Sequence, residues 1–202
     1  GHCGRGVIQF PVSQRRIGGD SRRIQSGSGG AAKHPRAGWP RGILEGRFQL
    51  AGATLELQPG EDPWNRPSPS RLFAVALHRF AWAPDLMSCG EPGAREMLRL
   101  FLTWREVFDR VAPFTWGQET LAPRVFHLAC AGRIIAMVAS DAEMAIYATS
   151  LAAQARHLLK LPEAAAAMPQ RLCAVAVAGA ALAGPAGEGL LLKALPRLSK
   201  AV

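Results

Sequence analysis

Much that catalysis and cofactor binding usually draw on is scarce in this sequence. Among 202 residues there is one tyrosine, Tyr147, and one asparagine, Asn65. The four cysteines, Cys3, Cys89, Cys130 and Cys173, lie far apart with no CxxC pair. That spacing excludes a zinc knuckle and a thioredoxin-type motif, and no metal site is expected. No GxGxxG or GxxxxGK[ST] loop occurs, so no nucleotide cofactor is indicated, and none of any other kind is expected. GxSxG and HExxH are absent too, which removes the commonest hydrolase readings. The longest uncharged stretch, Leu172 to Gly187, is rich in Ala and Gly and broken by Pro185. A membrane span needs about 20 apolar residues, so this stretch reads as a small-residue packing helix. The start has no apolar core of a secretory signal.

What is present is a basic head on a nearly neutral body. The net charge is +9. Residues 1–42 hold eight basic residues against Asp20, a net of +7, which leaves +2 for the rest. This head is rich in Gly, Ser and Arg without an apolar period, and reads as disordered. A tag, a misassigned start and a basic binding tail all have this composition. The body is 49% hydrophobic with few aromatics over the whole chain, which suits a soluble helical protein rich in Ala and Leu. Cys89, Cys130 and Cys173 have apolar neighbours and read as buried free thiols.

Apolar and polar residues alternate across 46–57 around Ala51-Gly52-Ala53, which predicts a short β-hairpin. A Pro-rich loop with Trp64 follows. Phe73, Leu77 and Phe80 then recur at helical spacing from Ser70 up to Pro84. Further helices are expected over about 93–111, 118–139, 142–161, 169–183 and 185–199. Ser140 and Asp141 offer caps for the fourth, and Pro162 stops it. Short connections imply antiparallel neighbours. Periodicity leaves a bundle, a solenoid and an α/α toroid open.

A series of weak motifs in order carries a resemblance. Gly46-Arg47-Phe48, Ala51-Gly52, Pro63-Trp64 and Pro67-Ser68-Pro69 precede Leu77-His78-Arg79-Phe80-Ala81-Trp82 and Asp85-Leu86. Trp104 follows, then Trp116, Leu121 and Arg124, then Gln154-Ala155-Arg156-His157-Leu158. This order resembles the N-terminal helical domain of heparinase II/III-family polysaccharide lyases, over about residues 43–202. The resemblance implies an all-α fold, a partial α/α toroid with a short β-hairpin. It implies cleavage of acidic, uronate-containing polysaccharides such as glycosaminoglycans by β-elimination, in the periplasm. That chemistry needs a neutralised carboxylate, a base and an acid. The family's catalytic Asn or His positions lie further along than this chain reaches. No catalytic residue is therefore assigned, and the chain reads as a fragment that is inactive alone.

Four residues are candidates for substrate binding. Trp64 and Trp116 sit in loops, where an indole either stacks on a sugar ring or anchors the loop. His78, on the first long helix, reads as a cleft residue or as a helix-surface or core-edge histidine. Arg124 has a fork of donors for a sulfate or carboxylate, or for a structural ion pair with Glu119 or another acid. Asn65 reads as turn chemistry, Tyr147 as a core tyrosine, and His127 and His157 as structural.

Two other functions compete. One is a non-catalytic helical module binding glycan or protein through Trp64, His78 and Trp116. The other is a basic arm for nucleic acid or anionic membrane. It ranks last, because the head has few aromatics and no folded reader, so nucleic acid is not the expected partner. No oligomeric state is legible.

Overall fold

The fold begins with a helical turn and a tight hairpin. In a computed structural model of the chain, residues 39–58, 60–162 and 168–201 are described. The first element is a short helix, α1 (Trp39–Leu44). Strands β1 (Arg47–Leu50) and β2 (Ala53–Glu56) pair antiparallel, with Phe48 opposite Leu55 and Leu50 opposite Ala53. Ala51 and Gly52 both have positive φ, 50° and 80°. Type I′ turns demand this, because their twist matches that of the strands. The hairpin is therefore where its alternation predicts it. Helix α1 spans the expected boundary at 42, and Ile43 is 1% exposed in the core. The rest of the basic head, residues 1–38, lies outside the described residues.

The first long helix is not continuous. Helix α2 (Arg71–His78) starts at Ser70, whose hydroxyl accepts from the Phe73 N–H at 3.0 Å. It ends where Phe80 takes φ = 55°. The left-handed conformation costs a non-glycine residue about 1–2 kcal/mol. Burying a phenylalanine returns about 2–3 kcal/mol, and Phe80 is fully buried between Trp64 and Trp82. Packing therefore overrides the helical period. Pro84, expected to end that helix, instead lies in the first turn of α3 (Ala83–Met87), where its missing N–H costs nothing.

Four longer helices follow, then one more. Helix α4 (Glu91–Phe108) buries Met97, Leu98, Phe101 and Trp104 on one face. Helix α5 (Gln118–Ile135) is buried on most sides and touches α2, α3, α4, α6 and α7. Its Pro123 has no N–H for the Glu119 carbonyl, and that oxygen accepts instead from Arg79 Nε at 2.9 Å. Helix α6 (Asp141–Lys160) opens with a full capping box between Ser140 and Glu143 and stops before Pro162. Helices α7 (Met168–Ala181) and α8 (Pro185–Ala201) complete the described chain.

Alternate helices pack together: α5 on α7, and α6 on α8. Where α7 meets α8 the backbones come close. A side chain on Gly187 would fall on the carbonyls of Leu182 and Gly179, so the small residues of this stretch do serve packing. The chain is mostly helical with one two-stranded sheet among the described residues. No described helix is long and apolar enough to cross a membrane. Among the described cysteines, Cys130 and Cys173 are exposed and Cys89 is half-buried, which corrects the expectation of buried thiols. Apolar sequence neighbours do not bury a residue that falls on the outer side of its helix.

Candidate functional site

Three of the four candidate binding residues meet inside the molecule. Arg124 on α5 is fully buried. Its guanidinium lies 4.4 Å from the centre of the Trp104 ring. Its Nε donates to Gln154 Oε1 at 2.7 Å, and one terminal nitrogen donates to the His78 carbonyl at 3.1 Å. The other terminal nitrogen has no hydrogen-bond partner. These partners are neutral, so the expected ion pair with Glu119 is not made. Glu119 instead pairs with Arg71 at 2.9 Å. Burial lowers the Arg124 pKa to about 9, so the residue stays charged at neutral pH.

His78 completes the hub. Its Nδ1 accepts from the Trp104 indole N–H at 3.1 Å, which places the ring proton on Nε2. Phe108 and Phe114 stand edge-on to it, with centroids at 4.7 and 5.5 Å. Desolvation, with the Arg124 charge second, lowers its pKa to about 4. His78 is therefore neutral at physiological pH.

Trp64 is 6% exposed. Its indole N–H is shared between the Leu100 carbonyl at 2.9 Å and Thr103 Oγ1 at 3.0 Å. One ring face stacks on Phe80 at 5.7 Å, which covers the surface a sugar would use. Trp116 stands at the margin and closes the 109–117 loop by donating to the Phe108 carbonyl at 2.8 Å. Both indoles are buried, each with its N–H in a hydrogen bond to the protein. Tyr147 donates to the Leu128 carbonyl at 2.6 Å in the core. Asn65 is exposed in its loop. Trp104, Phe108 and Gln154 were not singled out for this hub, and no local signal joins Gln154 to Arg124 across 30 positions.

The surface offers a different kind of site. A groove of about 540 Å³ runs between the C-terminal end of α6 and the outer side of α8. Arg156, Lys160, Lys193 and Arg197 line it, together with Leu159, Leu192 and Pro196. No carboxylate is among these described lining residues. Among the described residues no cluster of three His, Cys, Asp or Glu side chains could hold a metal.

Comparison with known proteins bears on the lyase reading. The chain is similar to FtsZ-localized protein C of Caulobacter vibrioides. The two are 48% identical over 156 residues, 77% of this chain. The chain spans 27% of that relative's length. No family model matches the chain, and no solved structure matches it. The heparinase resemblance is corrected by this finding: the curated relative is named for FtsZ, not for a lyase. With it fall the β-elimination of uronate polysaccharides, the glycosaminoglycan partner and the periplasmic location, all of which rested on that resemblance. Five residues of the motif series behind it, Trp64, His78, Trp104, Arg124 and Gln154, meet in the hub.

Proposed function

We propose that this chain is a helical module of a cell-division protein and acts where FtsZ acts, as the name of its relative says of that protein. The observation that carries the reading is the 48% identity over 156 residues. The structure is compatible with a scaffold that presents surfaces. The candidate residues Trp64, His78 and Arg124 serve as the rigid hub that holds α2, α4, α5 and α6 in register, and Trp116 anchors the loop before α5. Exposed basic and apolar side chains on α6 and α8 supply contact area. We propose further that residues 43–202, with α1 ahead of them, fold as one unit. The hydrophobic core runs unbroken from Ile43 to Ala194. The pairing of α5 with α7 and of α6 with α8 supports reading the helices as an arc of an α/α array such as a toroid.

Two measurements test the functional reading. A fluorescent fusion of the chain should concentrate with FtsZ at midcell in Caulobacter cells. The purified chain should sediment with FtsZ polymers and stay in the supernatant without them. A fusion that remains diffuse, with no sedimentation on polymers, would sink the reading. Limited proteolysis should leave a stable core beginning near Trp39. An experimental structure in which alternate helices fail to stack would remove the α/α-array reading.

A further inference from the structure

We infer that the groove between α6 and α8 is a docking site for an acidic, leucine-bearing helix of a partner protein. The inference rests on the reading of the chain as a scaffold that presents surfaces, and names the surface and the chemistry it recognises. On α8, Leu192, Lys193, Pro196 and Arg197 face the groove at helical spacing. On α6, Arg156, Leu159 and Lys160 form the opposite wall. Leu192 is 76% exposed and Leu195, just beyond, 51%. Leu159 on one wall and Leu192 on the other, interleaved with the four cations, fit a helix with leucines along one stripe and carboxylates on both flanks. Among the described lining residues the charges are all positive, which favours an acidic partner over a basic one.

Pro196 adds a polar feature. Having no N–H, it leaves the carbonyl of Leu192 without its helical donor, and both residues line the groove. Close by, Lys200 and Arg197 line a second hollow of about 220 Å³ with Met168 and Leu172, which extends the basic wall along α8. The chain's own basic head does not suit the groove, since its net +7 charge is of the same sign.

The test uses the 202-residue chain and labelled synthetic peptides of about four helical turns. One peptide carries leucines at i, i+3, i+4 and i+7 with flanking glutamates. Its counterpart has lysines in place of the glutamates. Fluorescence anisotropy should show binding of the acidic peptide alone, weakening as salt rises. The double variant Lys160→Glu, Lys193→Glu should lose at least tenfold in affinity for it and gain affinity for the basic peptide. Leu192→Glu should also weaken binding. All three positions are exposed, so circular dichroism should be unchanged.

Acidic-peptide binding that ignores the charge reversals would overturn the assignment, as would no binding at all. Binding to phosphatidylserine vesicles without peptide binding would hand the groove to a membrane surface. A dimer abolished by Lys160→Glu, Lys193→Glu, again without peptide binding, would hand it to a second copy. FtsZ sedimentation is scored separately on wild-type protein. Its failure removes the division reading while peptide binding still decides the groove.

Discussion

The Trp104 indole N–H points at Nδ1 of His78 across 3.1 Å, and the face of the same indole carries the Arg124 guanidinium at 4.4 Å. One tryptophan thus holds a neutral imidazole by its edge and a cation by its face. The hydrogen bond uses the histidine lone pair, and a protonated ring could not accept it. The cation is attracted by the π electrons. The hydrogen bond needs His78 to be neutral, and the Arg124 charge nearby opposes its protonation.

Stability should therefore fall in mild acid. The folded chain resists protonation of His78 down to about pH 4, whereas an unfolded one takes up the proton near 6.5. The stabilisation is complete above the unfolded value and is lost as the pH falls through the folded one. It amounts to as much as about 3 kcal/mol. Urea unfolding from pH 7 to pH 4 should show this loss. His78→Gln, which keeps an acceptor, should flatten the slope; an unchanged slope would mean that other groups set it.

Arg124 has no carboxylate among its hydrogen-bond partners, so its charge is carried by one ring and two neutral oxygens. Arg124→Met fills similar space without a buried charge and should cost about 1 kcal/mol. Arg124→Lys keeps the charge but loses the planar stack and the fork, and should cost about 3 kcal/mol. Thermal melts rank the two variants. Lysine tolerated better than methionine would mean that the charge itself is required.

Trp64 divides its work between ring and N–H. Trp64→Phe removes the hydrogen bonds to Leu100 and Thr103 while keeping most of the packing, and should cost about 1–2 kcal/mol. Trp64→Ala opens a cavity beside Phe80 and should cost about 3–5 kcal/mol. Equal losses in denaturant titrations would contradict this split.

The α7–α8 contact depends on backbone proximity. Gly187→Ala places a methyl group on the Leu182 carbonyl, and overpacking of this kind costs about 1–3 kcal/mol. Gly189→Ala, a control with open space around it, should be neutral or slightly stabilising by its helix propensity. Melting temperatures of the two variants should move in opposite directions, or only the first should fall.

What the sequence determined by itself was local. The hairpin followed from alternation about Ala51-Gly52, and α6 from Ser140 at its cap and Pro162 beyond its end. These signals act within a few residues of the backbone they govern, so reading along the chain recovers them. The split at Phe80 did not follow. Its left-handed backbone is held by Trp64 and Trp82, and the first of these lies in a different segment. The same limit explains the candidate residues. Exposure of Trp64 and Trp116, and a partner for Arg124, turn on contacts spanning 8 to 46 positions. Only the packing of α2, α4, α5 and α6 around one hub settled them as interior groups. The basic groove is likewise a tertiary product: α6 and α8 each carry ordinary surface charge, and only their adjacency concentrates four cations around exposed leucine.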